Sequence, residues 1–149
     1  MRVRHHVAVF TAVVVLGLSP SLVAGQDRQY VEPVMAGDTV SLPFSEAVLV
    51  GNTLYVGGTV GMLYQQVPET AAEEARLLME YLQETLADAD MTMDDLVSVQ
   101  VFCSDLAAYT DFNRVYRTFF TREYPARAFV GAEVLGGLRF EVTAVAVRR

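Results

Sequence analysis

The chain contains no lysine, and its two histidines, His5 and His6, both lie near the N-terminus. Ser-His-Asp and Cys-His catalysis, histidine-based zinc sites, pyridoxal phosphate attachment and the P-loop all need residues that the rest of the chain lacks. Carboxylates, tyrosines, arginines and one thiol are left for chemistry. By elimination, the composition favours general acid–base chemistry by a glutamate.

Cysteine and positive charge are also scarce. Cys103 is the only cysteine, so no internal disulfide can form, and its apolar surroundings predict an inert buried thiol. The formal charge is -7, and loss of Arg2 and Arg4 with the N-terminal segment would make it -9. Such an acidic chain repels nucleic acid and anionic membrane surfaces, so neither is an expected partner.

Residues 1–25 have the pattern of a signal peptide. Arg2 and Arg4 form a basic start, residues 7–18 are apolar, and residues 23–25 are small. We expect cleavage after Gly25 and a soluble periplasmic or secreted product without stable membrane association. An uncleaved N-terminal anchor is the alternative, although the apolar run is short for a membrane span.

The remaining chain has the length of one domain. Residues 26–40 are mixed in composition and predict a tail or linker with at most one short strand, and residues 41–149 form the predicted domain. Within it, Ser45–Val50 and Thr53–Gly58 are β-rich runs joined by Gly51-Asn52, which predicts a tight hairpin. Gly57-Gly58 indicates either a bend or the close approach of a ligand.

A first helix is predicted after Thr70, which has capping-box spacing to Glu73. Its apolar face comprises Ala71, Ala75, Leu78, Leu82, Leu86 and Ala89. Its charged residues, Glu74 among them, are assigned to a solvated face. Residues 91–95 turn the chain, and Val97, Val99, Val101 and Cys103 then alternate as a strand. With the second hairpin strand this completes a predicted βαβ unit.

A second helix is predicted over about Ala107–Phe120. Its aromatic stripe consists of Tyr109, Phe112, Tyr116, Phe119 and Phe120, and Asn113 lies on the same face. An amide there needs hydrogen-bond partners. On spacing alone, Asn113 ties down a neighbouring loop or lines a pocket.

The last two strands carry one arginine and one glutamate without an obvious structural role. Arg127 follows Pro125-Ala126, where a loop should enter a strand predicted over Ala128–Val134. Glu141 lies in the run RFEVTAVAV, whose near-continuous apolarity predicts a strand buried on both faces. An isolated carboxylate there needs a partner. A structural Arg127–Glu141 ion pair is one interpretation, and a functional site is the other.

The order of elements, ββαβαββ, predicts an α+β fold in which two helices cover one face of a single mixed sheet. The other face is also apolar, and no further helix is available to cover it. We therefore expect the sheet to pack against copies of the same chain.

Several separated motifs resemble the RidA (YjgF-type) family of enamine/imine deaminases. They include the hairpin VLVGNTLYVGG, the segments VQVFCSDL and DFNRVYRTFF, the arginine of YPARAFV and the ending AVAVRR, all between about residue 42 and residue 149. The resemblance implies a chorismate-mutase-like fold assembled as a homotrimer, with pockets in the clefts between subunits.

The resemblance also implies roles for individual residues. Arg127 falls on the position that binds the substrate carboxylate, Glu141 on the position that activates water, Asn113 on a pocket-lining asparagine and Gly58 on a glycine that faces the ligand. Three positions depart from the family pattern. Phe44 replaces a tyrosine, Gly57 a serine and Thr143 a second acidic residue, so the implied pocket is more apolar.

The implied activity is hydrolytic deamination of 2-imino acids and their enamines to 2-oxo acids and ammonia, without metal or organic cofactor. The main alternative is a non-catalytic module that binds small carboxylates in the same cleft. A ribonuclease, an activity also ascribed to relatives, is disfavoured because an acidic chain without lysine is poorly equipped to hold RNA.

Overall fold

The computed structural model describes residues 27–33, 42–62 and 66–149. The signal segment expected over residues 1–25 lies outside this part of the chain, as does the second half of the expected tail. The described residues form six strands and two α-helices in the order β1 (Arg28–Val31), β2 (Ala47–Val50), β3 (Thr53–Val60), α1 (Ala71–Asp88), β4 (Leu96–Cys103), α2 (Tyr109–Tyr116), β5 (Ala126–Gly131) and β6 (Phe140–Val147).

All six strands belong to one mixed sheet in the order β1-β2-β3-β6-β4-β5. The predicted hairpin is present as β2 and β3, and β1 adds a short edge strand to it. β6 runs antiparallel to both β3 and β4. The predicted βαβ unit is therefore split, because β6 separates its two parallel strands. The α+β prediction of one mixed sheet with two helices is confirmed.

Helix α1 begins as its capping box predicts. Thr70 Oγ1 accepts a hydrogen bond from the Glu73 amide at 3.2 Å, and the Glu73 carboxylate accepts one from the Thr70 amide at 3.4 Å. The predicted apolar face is buried from Ala75 to Leu86. Assignment of Glu74 to the solvated face was wrong, since its side chain is fully buried.

Helix α2 is extended at both ends by short 3-10 turns, residues 106–108 and 117–119, so the helical segment agrees with the prediction. Phe112 and Tyr116 of the aromatic stripe are buried, whereas Tyr109 at its start is 46% exposed. None of the helices in the described residues is long and apolar enough to cross a membrane.

Strand β6 alternates between the two faces of the sheet. Phe140, Val142, Ala144 and Ala146 are buried in the core beneath the helices. Glu141, Thr143 and Val145 are half-buried on the opposite face, which we call the open face. The prediction of a strand buried on both faces was therefore wrong within one chain, because both helices pack on one side only.

Exposed apolar side chains also lie on the open face. Tyr55 pairs with Val145 of the open face, and Val147 follows Val145 two residues later on the same strand. Val130 pairs with Phe102, which itself pairs with Glu141, so Val130 also lies on the open face. They are 53%, 40% and 38% exposed. Large apolar side chains that share one sheet face at this exposure are typical of a surface that another chain covers.

Two strand predictions need correction. Val97 is exposed although it was assigned to the buried alternation, because a β-bulge between Leu96 and Ser98 shifts the register and buries Leu96 instead. β5 spans Ala126–Gly131, earlier than predicted. Its partner β4 ends at Cys103, opposite Gly131, so the chain beyond has no strand to pair with.

Candidate active site

Arg127 is the second residue of β5, the edge strand that lies under α2. It pairs with Val99 of β4, and Val99 is buried in the core on the helix side of the sheet. Paired residues in neighbouring strands point to the same face. The Arg127 side chain therefore rises toward α2, where it is half-buried.

Two kinds of contact fix the Arg127 guanidinium. One nitrogen donates a 2.6 Å hydrogen bond to Oδ1 of Asn113, on the facing side of α2. The central carbon lies 4.5 Å from the ring centroid of Tyr116 and 5.7 and 5.9 Å from those of Phe129 and Phe112. Cation–π stacking and one neutral acceptor thus orient the cation without neutralising its charge.

A cleft of about 280 Å³ opens at this guanidinium. It is lined by Tyr109, Asn113, Tyr116, Arg117, Tyr124, Pro125 and Arg127. In the part of the chain that the structure describes, no carboxylate forms an ion pair with Arg127. Asn113 binds a strand residue, so the interpretation that it ties down a loop was wrong.

Arg127 and Glu141 lie on opposite faces of the sheet. Glu141 pairs with Phe102 of β4, three residues beyond Val99, and therefore points to the open face. The structural Arg127–Glu141 ion pair considered from the sequence is consequently wrong, since the sheet itself separates the two side chains.

Glu141 lies directly over Gly58. A Cβ atom at residue 58 would sit 3.1 Å from Cδ of Glu141 and closer still to Oε1. The register of β3 with β6 shifts between Val56 and Thr59, so Gly57-Gly58 forms a β-bulge. The bend expected at these glycines is present, and the bare backbone of Gly58 makes room for the carboxylate.

Gly57 and Phe44 lie close to this group. The Gly57 amide donates a 2.7 Å hydrogen bond to the Glu46 carbonyl, and a Cβ there would be 3.3 Å from the Ser45 carbonyl oxygen. Phe44 directly precedes Ser45 and is 57% exposed. The predicted site residues thus form two groups, with Arg127 and Asn113 in one and the remaining four in the other.

Two structural features near the candidate site residues were not predicted from the sequence. The aromatic stripe was predicted without a role at the site, yet the ring of Tyr116 lies under the Arg127 guanidinium. Burial raises the pKa of the Tyr116 hydroxyl to about 12, while the nearby Arg127 cation acts in the opposite direction. Glu74 was read as solvated, although its four- and eight-residue spacing to Leu78 and Leu82 places it on the buried stripe.

Cys103 is the inert thiol that the sequence predicts. Its side chain is 1% exposed, and Sγ donates to the Asp105 carbonyl at 3.1 Å. Burial raises the pKa of the thiol. A thiol that is both buried and protonated is a poor nucleophile.

A larger groove, of about 530 Å³, lies between α1 and α2 and contains none of the predicted site residues. Charged side chains line part of it, and Arg76 is already paired with Glu80 at 2.7 Å. The smaller cleft at Arg127 is therefore the better candidate for a small anionic ligand.

Comparison with known proteins gives a consistent picture. The family model described as "Endoribonuclease L-PSP" matches residues 36–148. The 2-iminobutanoate/2-iminopropanoate deaminases of Rattus norvegicus and Homo sapiens are 37% and 34% identical over 109 and 110 residues, covering 70% and 71% of this chain and 80% of each relative. The crystal structure of the YjgF gene product from E. coli superposes with a TM-score of 0.70 at 27% identity, covering 79% of this chain and 94% of that one. The chain therefore belongs to the Endoribonuclease L-PSP family, which is the YjgF/RidA family.

Proposed function

We propose that this protein hydrolyses 2-imino acids, in equilibrium with their enamines, to 2-oxo acids and ammonia. One observation carries the proposal: Arg127 offers an oriented, half-buried cation in a cleft, and no carboxylate of the described residues occupies it. The names of the relatives, 2-iminobutanoate/2-iminopropanoate deaminase, support the reaction class.

Arg127 is the substrate anchor in this proposal. Its bond to Asn113 uses one of the five guanidinium N–H groups, and the N–H groups that remain can bind a carboxylate bidentately. Stacking on Tyr116 limits rotation of the guanidinium plane. A bound 2-imino acid would therefore present its C=N carbon in a defined orientation, which lowers the entropic cost of attack by water.

Glu141 is the acid–base group. As base it takes a proton from water while the water oxygen bonds to the imine carbon and the C=N π electrons move to nitrogen, which then receives that proton from Glu141. In the resulting carbinolamine the hydroxyl gives its proton to Glu141 as the C=O bond forms and the C–N bond breaks. Glu141 passes this second proton to the departing nitrogen, which leaves as ammonia. No redox step or organic cofactor is needed.

The two groups must come from different copies of the chain, because Arg127 and Glu141 lie on opposite faces of one sheet. The open face, with Tyr55, Val130 and Val147 exposed, is the surface we expect a second copy to cover. We propose a homotrimer with three equivalent clefts. Light scattering on the Gln26–Arg149 chain tests this, and a stable monomer at micromolar concentration would contradict it.

A non-catalytic carboxylate-binding module is the second candidate. The specific observation in its favour is the loss of polar groups around Glu141, where Phe44, Gly57 and Thr143 replace two hydroxyls and an acid expected from the resemblance. Such a module would use the same Arg127 cleft. It would bind 2-oxo or other small carboxylates without turnover.

Turnover separates the two candidates. 2-Imino acids would be generated in situ by an amino-acid oxidase in the presence of a competing trap, and acceleration of 2-oxo acid formation measured. Glu141→Gln is expected to abolish the acceleration while calorimetry still detects 2-oxo acid binding. A parent protein that binds 2-oxo acids but does not turn over aliphatic or aromatic imines would be the binding module.

We also propose that the chain acts outside the cytoplasm, on the basis of the pattern in residues 1–25. A flavin-dependent amino-acid oxidase is a more plausible source of imines there than a pyridoxal phosphate enzyme. The substrates would then be imines of free amino acids.

A further inference from the structure

Glu74 is a buried carboxylate that the proposed reaction does not use. It lies in the first turn of α1, and its side chain has no solvent exposure. A buried charge is costly unless hydrogen bonds and an opposite charge compensate it. Its partners therefore indicate what the burial achieves.

Among the described residues, the hydrogen-bond partners of the Glu74 carboxylate all lie immediately before Glu141. Oε1 accepts hydrogen bonds from the backbone amides of Arg139 and Phe140, at 2.5 and 2.8 Å. Oε2 accepts one from the Arg139 guanidinium at 2.8 Å. The carboxylate thus holds two consecutive amides at the point where β6 begins, one residue before the proposed base.

The Arg139 side chain extends the same connection to the loop before α1. Its guanidinium donates to the carbonyls of Pro68 and Glu69 at 3.1 and 3.0 Å. Arg139 therefore compensates the Glu74 charge in the first turn of α1 and also holds the two carbonyls of the loop that precedes the helix. This network joins α1 to the beginning of β6 through side-chain and backbone contacts.

The same turn of α1 also abuts β3, the strand that provides Gly58. A Cβ at Gly61 would lie 2.9 Å from the carbonyl carbon of Glu74, so helix and strand end are in close contact. Val60, next to Gly61, pairs with Glu141. Glu74 thus sits where the two strands that form the Glu141–Gly58 contact meet the helix.

We propose that Glu74 is a positioning residue that holds Glu141 in place for the reaction. This role rests on the proposed function. Glu74 anchors the amides ahead of Glu141 and keeps the strand ends together, so the carboxylate of Glu141 stays over Gly58. It does not touch the substrate and takes no part in proton transfer.

Glu74→Gln tests the role because it keeps the size and shape of the side chain. It replaces one carboxylate oxygen, which accepts hydrogen bonds from Arg139 or Phe140, with an NH₂ group that can only donate. A matched control is Arg148→Met. Arg148 links the other ends of the same two elements, donating to the Ala89 carbonyl at the end of α1 at 2.6 Å from just beyond β6. Both variants should lower the thermal midpoint.

Only Glu74→Gln should lower kcat, by about 10- to 100-fold as for a small misplacement of a catalytic group. KM and 2-oxo acid affinity, which depend on Arg127, should change less than about twofold. Arg139→Met, which leaves the backbone bonds to Glu74 intact, should lower kcat by a smaller factor and serves if Glu74→Gln does not fold.

Three outcomes overturn the role. If the parent protein is active and Glu74→Gln has the same kcat, the positioning role is wrong while the proposed function stands. If only Arg139→Met folds, an unchanged kcat in that variant leads to the same conclusion. So does an equal fall of kcat in Arg148→Met, which would mean that the loss follows general destabilisation. A parent without turnover overturns the proposed function together with this role.

Discussion

Arg127 and Glu141 project from opposite faces of one sheet, and strand β4 lies between the strands that carry them. Neither side chain can reach the other around a sheet whose core-facing side is packed with side chains. A single chain therefore offers two half-sites. Any reaction that uses both groups needs one copy to supply the guanidinium and another to supply the carboxylate.

Mixing two inactive variants tests this directly. Arg127→Ala and Glu141→Gln, each inactive alone, should recover activity when co-refolded at equal amounts, because some clefts receive an intact group from each variant. Random assembly predicts about a quarter of the parent activity for a symmetric oligomer with one cleft per interface. Steady-state turnover before and after co-refolding measures the recovery.

A control and a contrary outcome complete that experiment. Mixing the folded variants without denaturation should give no recovery if subunits exchange slowly. If the co-refolded mixture stays inactive while both variants form oligomers of the parent's size, the two groups do not act together across an interface.

Asn113 should tune the affinity of Arg127 for anions. Asn113→Ala removes the 2.6 Å acceptor and should weaken 2-oxo acid binding by about tenfold or less, since stacking on Tyr116 persists. Asn113→Asp should weaken it more, because a carboxylate at the same place competes with the ligand for the cation. Isothermal titration calorimetry measures both, and tighter binding by the aspartate variant would contradict this reading of the cleft.

Much of the fold follows from local sequence signals. The Thr70–Glu73 capping box, the Gly51-Asn52 turn and the β-branched and aromatic run of β6 each specify their element through residues close together in sequence. The insertion of β6 between β3 and β4 was not predictable in this way. It depends on pairing between strands distant in sequence, and no local pattern encodes which neighbours a strand takes.

The candidate site was predictable in identity but not in arrangement. Arg127, at the entry to a predicted strand, and Glu141, inside an apolar one, were singled out because neither had an obvious structural role, and the resemblance supplied the functional roles. Their placement on opposite faces follows from strand register, which pairs Arg127 with Val99 and Glu141 with Phe102, three residues apart on β4, and no local pattern specifies that register. Glu74 was misread because a charged residue on an amphipathic helix is usually solvated.

Gly58→Ala should impair turnover without unfolding the protein. The added Cβ would lie 3.1 Å from Cδ of Glu141, so the carboxylate must move away from its position over the bulge. We expect kcat to fall by about a hundredfold, as for displacement of a catalytic group by about 1 Å. Steady-state kinetics at saturating imine concentration measures the effect.

Gly131→Ala is the matched control for this substitution. The three atoms nearest to its Cβ would all belong to the Leu106 side chain, the closest at 3.4 Å, and residue 131 is exposed. Its kcat should equal that of the parent. Full activity in Gly58→Ala would show that the close approach of Glu141 to this backbone is not needed for the reaction.

The N-terminal segment should direct export and be removed. When the full chain is produced in a bacterium, mass spectrometry of the periplasmic or extracellular fraction should find an N-terminus at or near Gln26. Val14→Arg, which interrupts the apolar run with a charge, should retain the full-length chain in the cytoplasm. Recovery of the uncleaved parent chain in the membrane fraction alone would indicate an anchor instead.

Tyr116 should make the fold sensitive to alkaline pH. Burial raises the pKa of its hydroxyl to about 12, against about 10 in an unfolded chain. The folded state thus holds this proton more tightly, so the associated stability is fully present below pH 10 and is lost as the pH rises toward 12. The loss should reach up to about 2 kcal/mol, once residual contact with solvent is allowed for.

Tyr116→Phe should remove that component of the pH dependence. The Tyr116 hydroxyl has no hydrogen-bond partner among the described residues, so its removal should leave the free energy of unfolding at pH 7 equal or slightly higher. Burial also raises the pKa of the Cys103 thiol, so both proteins lose the same amount of stability from this group at alkaline pH. Urea unfolding of both proteins at pH 7, 9, 10.5 and 11.5 gives the free energy of unfolding as a function of pH. The difference between the two curves is the contribution of Tyr116, and curves that stay parallel over the whole range would contradict the assignment.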